Sequence, residues 1–196
     1  MAKRSEHINN WLLPVSWMYG FGVFFRRKLF EWNILKRKSY NIPVICVGNI
    51  TVGGTGKTPH VEYLIRLLQH SHRVAVLSRG YKRKTKGFIL ANEKTTYQEI
   101  GDEPYQIKNK FPDIIVAVDE NRVRGIDKLL SMKDKPDIIL LDDAYQHLYV
   151  KPSYSILLID YNRPIYNDAL LPAGRLREGS HNLDRANLVI MTKCPP

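Results

Sequence analysis

The chain predicts an α/β fold, a parallel sheet flanked by helices, with an N-terminal helical segment set apart from it. Three observations carry this. From residue 42 onward, short β-branched apolar runs alternate with stretches of helical periodicity, the pattern of strands joined by crossover helices. A glycine-rich run, "VGGTGKT", lies between the first of those strands and the first of those helices. The first forty residues break the alternation with fifteen consecutive uncharged residues, 11–25, closed by Arg26, Arg27 and Lys28. A length of 196 residues fills one α/β domain and would be cramped for two.

In chain order, residues 1–40 form a basic, apolar segment rich in Trp, Tyr and Phe, which favour the bilayer interface. A spanning helix needs about 20 apolar residues, and Pro14, Gly20 and Gly22 weaken the run further. Lys3 and Arg4 precede it as they would in a signal peptide, but no small-residue cleavage site follows. The segment reads as a monotopic, membrane-surface element. Its alternatives are a helical hairpin packed on the domain and a short true span. The core is residues 41–196. "IPVICVGN" is a buried parallel strand, and "KTPHVEYLIRLLQH" a helix with Val61, Leu64, Ile65 and Leu68 on one face. "RVAVLSRG" is a second strand, "YKRKTKG" a basic loop and "FILA" a short strand. "GDEPYQIKNKF" starts a helix with two acids and a proline in its first turn. "DIIVAV", "PDIILLDD", "YSILLID" and "NLVIMTK" are strands, and "NRVRGIDKLLSM" is a helix.

The net charge is +11, concentrated in two places. Residues 1–40 hold eight Lys/Arg against two Glu, and residues 72–94 hold seven against one. Two basic patches suit an anionic partner, a membrane surface or a nucleic acid. The acidic excess of residues 95–196 and the lack of an aromatic-basic reading surface argue against nucleic acid. Cys46 and Cys194 are far apart with no C-x-x-C, which points to a reducing compartment rather than a disulfide framework or zinc.

The glycine-rich run is a phosphate cradle with one departure. The pattern G-x-x-x-x-G-K-[ST] is met by Gly56, Lys57 and Thr58, but its first position is Thr51. Thr51, Gly53, Gly54, Thr55, Gly56, Lys57 and Thr58 are the expected nucleotide contacts. Backbone N–H groups and a helix N-terminus receive phosphate, Lys57 reaches the β- and γ-phosphates, and Thr58 binds Mg²⁺. "IILLDD" supplies the strand-end acids such a site needs for its metal, Asp142 and Asp143, against the plainer reading of a helix cap. Asp102 is placed to take a proton from an acceptor hydroxyl, although the helix dipole alone favours an acid there. His147 and the arginines Arg79, Arg122, Arg175 and Arg177 are candidates to neutralise phosphate charge, each with a structural ion-pair reading beside it.

Taken in order, "VGNITVGGTGKTP", "SRGYKRK", "GDEP", "DDAYQH" and "LPAGRLRE" resemble the tetraacyldisaccharide 4'-kinase family, the lipid A 4'-kinases, over essentially residues 11–195. The resemblance implies a kinase with ATP and Mg²⁺ as cofactors. It would transfer the γ-phosphate to the 4'-hydroxyl of a tetraacyl disaccharide 1-phosphate. It would work on the cytoplasmic face of the bacterial inner membrane, peripheral or monotopic, with lipid disaccharide and anionic membrane surface as its partners and no nucleic acid or obligate protein partner. On the same resemblance Asp102 is the base, Glu103 beside it a magnesium contact, and Asp142 and Asp143 the strand-end acids. Gln146 and His147 follow them in one motif, and Arg79, Arg122 and Arg177 hold phosphates. Two departures stand out. Ala144 occupies a position the family fills with glycine, which predicts a changed turn because alanine disfavours positive φ. Family members also run past the last strand read here, into a part that helps close the active site.

Two other classes compete. A P-loop GTPase or metallochaperone-like ATPase is suggested by "VIMTK", but the Asp expected after Thr-Lys-x is Pro195. A non-catalytic membrane-bound nucleotide-binding protein is the second.

Overall fold

A computed structural model describes residues 8–195. Lys3 and Arg4, which bear on the N-terminal reading above, lie outside them, as does Pro196 at the end of the core range. Seven strands form one sheet: β1 (Val44–Gly48), β2 (Val74–Ser78), β3 (Ile89–Leu90), β4 (Ile115–Val118), β5 (Ile138–Asp142), β6 (Tyr154–Asp160) and β7 (Leu188–Thr192). Their order is β3-β4-β2-β5-β1-β6-β7, parallel throughout except for β3. The helices are α1 (Leu13–Glu31), α2 (Lys57–Leu68), α3 (Tyr97–Ile100), α4 (Asp102–Lys110) and α5 (Arg122–Leu130).

The central strands are buried on both faces, as near-continuous Val/Ile/Leu runs require. Val61 and Ile65 of α2 and Ile107 of α4 pack with Val47, Val76 and Leu140 on one face. Ile126 and Leu129 of α5 pack with Cys46, Leu77 and Leu141 on the other. Register sets the working edge. Val47 lies opposite Asp142, so the loop leaving β1 and the acids ending β5 emerge side by side at the carboxyl ends.

Three features depart from the expected pattern. Short α3 precedes α4, held by a capping box between Thr96 and Glu99. Gly101 separates the two at φ 91°, where a Cβ would come within 2.8 Å of Tyr81 O, so only glycine allows this turn. β5 reaches β6 without a helix: residues 143–153 cross β1 as turns. From β6 to β7 the chain makes 3-10 turns and an irregular stretch, 161–187, in place of a crossover helix.

Among the described residues, the N-terminal segment is a short 3-10 turn, Asn10–Leu12, leading into one helix, α1, and not a hairpin. Pro14 sits in its first turn, where a missing N–H costs nothing, and Gly20 and Gly22 lie within it. Among the described residues no helix is long and apolar enough to cross a membrane. Only Ser16 and Phe30 of α1 are buried, and Gly20 gives the closest approach, since a Cβ there would lie 2.7 Å from Leu170. Ser16 Oγ donates to Leu170 O (2.9 Å) and accepts from Ala173 N (2.9 Å), and Tyr19 donates to Arg177 O (3.0 Å). The remaining face of α1 leaves Trp17 at 72%, Met18 at 77% and Phe21 at 70% exposure, and Trp11, in the 3-10 turn just before the helix, is 92% exposed.

Candidate functional site

The phosphate loop runs from Asn49 to Gly56 between β1 and α2. Positive φ at Gly53 (117°) and Gly56 (83°) bends it so that α2 begins at Lys57 with its N-terminus toward the loop. Fully buried Asn49 ties it from beneath, donating to Thr55 Oγ1 (2.9 Å) and Gly53 O (3.4 Å). Thr51, read as the turn position, is buried and does not turn. It pairs antiparallel with Leu176, while Val52 N donates to Arg175 O (2.8 Å) and Arg177 N to Ile50 O (2.7 Å). The chain is extended here, so the consensus glycine has no conformational work to do, and the "LPAGRLRE" stretch supplies the pairing partner.

Lys57 Nζ lies 3.7 Å from Asp143 Oδ1 at the head of α2, with Thr58 half-buried beside it. Asp143 also faces Arg177 Nη1 at 3.4 Å, and Arg177 reaches Gln146 Oε1 at 3.4 Å. Gln146 donates to Asn49 O at 2.6 Å, which closes a ring from the loop through the acid motif to "LPAGRLRE". Asp143 takes the left-handed conformation, φ 48°, which short polar side chains tolerate. Ala144 is buried and has no positive φ; the left-handed residue of this turn is Asp143.

Asp142 is 1% exposed, and neither of its carboxylate oxygens has a hydrogen-bond partner among the described residues. Burial first, then the charges of Glu103 and Asp143, push its pKa up to about 7 against the pull of Lys57 and Arg122. An orphaned buried carboxylate beside a lysine and two further acids fits a divalent cation, whose charge would supply the missing partner. Among the described residues no three His, Cys, Asp or Glu side chains converge into a metal cluster, so Asp142, Asp143 and Glu103 form no closed cage. Magnesium suits such an open set, since it completes its shell with water and phosphate oxygens.

Arg122, read as a phosphate holder, is instead enclosed below the strand ends. Its guanidinium donates to the carbonyls of Asp119 and Asp142, and burial lowers its pKa to about 10, so it stays charged at neutral pH and acts on the site through Asp142. His147 is half-buried. Burial, with Arg122, Arg79 and Arg26 adding like charge, brings its pKa down to about 4, and it is neutral at pH 7. Arg79 is exposed just after β2, and Arg175 joins the site through its backbone carbonyl. Asp102 and Glu103 open α4, both exposed, and Glu103's charge is felt at Asp142. The helices carrying Lys57 and Asp102 are joined by Glu62, whose buried carboxylate accepts from Gln106 (3.3 Å) and Lys110.

Sequence reasoning missed the supports: Asn49, Glu62 and the pair Asp160–Lys193. A buried asparagine directly after a strand and an acid on the apolar side of α2 were the available signals.

The chain matches the family profile described as tetraacyldisaccharide-1-P 4'-kinase over residues 8–196. It is 62% identical over 190 residues to the tetraacyldisaccharide 4'-kinase of Phocaeicola vulgatus, covering 96% of this chain and 52% of that protein. The enzyme of that name from Bacteroides fragilis is 59% identical over 197 residues, covering all of this chain and 52% of its own length. The Porphyromonas gingivalis enzyme is 58% identical, covering 97% and 54%. A crystal structure of LpxK from Aquifex aeolicus in complex with ATP superposes with a TM-score of 0.85 at 41% identity, over 93% of this chain and 58% of that one. The chain thus spans about half the length of the curated relatives it matches.

Proposed function

Because the chain belongs to the tetraacyldisaccharide-1-P 4'-kinase family, we propose that it transfers the γ-phosphate of ATP to the 4'-hydroxyl of a tetraacyl disaccharide 1-phosphate, a step in lipid A biosynthesis. The observation that carries this reading is the meeting of Lys57, Asp142 and Asp143 at the carboxyl ends of β1 and β5, with the charge of Glu103 at the head of α4 felt by Asp142. ATP lies along the loop, its phosphates on the N–H groups between Gly53 and Lys57. Lys57 neutralises the β- and γ-phosphates. Asp142, with Thr58, Asp143 and Glu103, would hold Mg²⁺, whose charge would supply neutralisation of the phosphates. Asp102 takes the proton of the 4'-hydroxyl as that oxygen attacks phosphorus and ADP departs. Arg177 and Arg79 hold phosphate oxygens, and neutral His147 accepts or donates a hydrogen bond without adding charge.

The lipid presents its sugar at a membrane surface. The exposed aromatic face of α1, with Arg26 and Lys28 beside it, seats the protein on the cytoplasmic face of the inner membrane as a peripheral enzyme.

The test is ATP-dependent phosphorylation of a lipid A disaccharide precursor, run with this chain and with the chain extended by the remaining sequence of a Bacteroides relative. Product that requires Lys57 in the active form supports the reading. Turnover unchanged by Lys57→Ala would defeat it.

A further inference from the structure

We propose that Lys193 is a positioning residue for the nucleotide, the pin by which the edge strand β7 holds the phosphate loop in its binding conformation. This rests on the ATP-site reading above. Lys193 follows β7 in the left-handed region, φ 57°, a conformation that disfavours a lysine and needs a reason. Its Nζ donates to Gly54 O at 2.6 Å and to Asp160 Oδ2 at 2.7 Å. Asp160, 4% exposed, is the last residue of β6 and lies in register with Thr192. Thr192 Oγ1 in turn donates to Thr55 O at 3.0 Å.

Three successive loop carbonyls are therefore engaged from the protein side: Gly53 by Asn49, Gly54 by Lys193 and Thr55 by Thr192. This matters because phosphate is received by N–H groups and repelled by carbonyl oxygens. A peptide flip in the loop would aim an oxygen at the phosphate. Gly53 and Gly54 make flips inexpensive, and a Cβ placed on Gly54 would meet nothing within 4 Å, so packing does not resist one there. At the 54–55 peptide the resisting force is the charge-assisted hydrogen bond from Lys193, oriented by the buried carboxylate of Asp160. "VIMTK", which suggested a guanine-reading strand end, is thus a loop clamp in this fold.

The experiment compares wild type, Lys193→Met, Lys193→Arg and Asp160→Asn. Hydrogen-exchange mass spectrometry follows residues 50–58 without nucleotide, with residues 74–78 of β2 as the internal control. Calorimetric titration with MgATP follows binding. In Lys193→Met, loop exchange rises and MgATP affinity falls, each by about tenfold, while β2 protection is kept. Lys193→Arg restores both to within about threefold, since a guanidinium can reach both acceptors. Should Lys193→Met lose β2 protection as well, Asp160→Asn decides, with the same loop-confined change expected. Unchanged loop exchange in the Met or the Asn variant overturns the proposal. Wild type that fails to bind MgATP would sink the ATP-site reading, and the exchange arm would still judge the clamp.

Discussion

Buried Asp142 and half-buried His147 bear on stability with opposite dependence on pH. Asp142, raised to about 7, holds its proton more tightly folded than unfolded. Its contribution to stability is full near pH 4 and is lost as pH rises to 7. His147, lowered to about 4, is kept neutral by the fold. Its contribution is present above about pH 6.5 and is lost as pH falls toward 4. Across pH 4–6.5 the two slopes oppose. Urea denaturation in EDTA should show His147→Gln losing stability as pH rises and Asp142→Asn gaining it, each by at most about 1.4 kcal/mol per pH unit. Profiles parallel to wild type would remove the burial argument. At Thr51, restoring the consensus glycine should bring no gain in ATP affinity and cost about 0.5–1 kcal/mol of stability, because the residue is extended and paired with Leu176. For Asp102→Ala we expect the rate of transfer to fall by at least about a hundredfold with MgATP affinity held within a few-fold; equal losses would make Asp102 a binding residue. The acids, Lys57 and the loop glycines were legible because their chemistry demands fixed spacing. The burial of Arg122 and the left-handed turn at Asp143 were not, because both depend on which strand lies next to which.

At the level of elements, every strand and the core helices α2, α4 and α5 could be read from apolar runs and periodicity, most plainly β1, β2 and β5, which are buried on both faces. The helix-free passage from β5 to β6 was not legible: no periodic signal marks it, and only the parallel pairing of β6 with β1 shows the crossing. The link between α2 and α4 was equally hidden, being one carboxylate shared by Gln106 and Lys110. Glu62→Ala removes the buried carboxylate that links the two helices, and we expect a loss of about 0.5–1.5 kcal/mol in chemical denaturation, since the exposed Lys110 and Gln106 regain water. The helix α1 was legible as a helical element apart from the sheet, and Pro14 and the two glycines lie within it without dividing it. Replacing Trp17 and Phe21 together by Ser should cut flotation with anionic liposomes at least about fivefold while leaving the melting temperature within about 2 °C, both side chains being exposed. Undiminished flotation would remove α1 from the membrane contact.

Over the whole molecule, the charge of +11 sits in two patches, and screening tests what they are for. If they meet lipid headgroups, vesicle binding should weaken steadily between about 0.05 and 0.5 M salt as the Debye length shrinks, with a residue of binding from the aromatic side chains. The clasp between α1 and the stretch that pairs with the phosphate loop has one more effect. Ser16 and Tyr19 grip residues 170–177, and those residues grip Ile50 and Val52 through main-chain bonds. On the proposed function, α1 resting on a bilayer would make that run a gauge of altitude, fixing how far above the lipid plane the phosphoryl group is handed over, so that an alcohol would be served only if its own headgroup lifts it to that height.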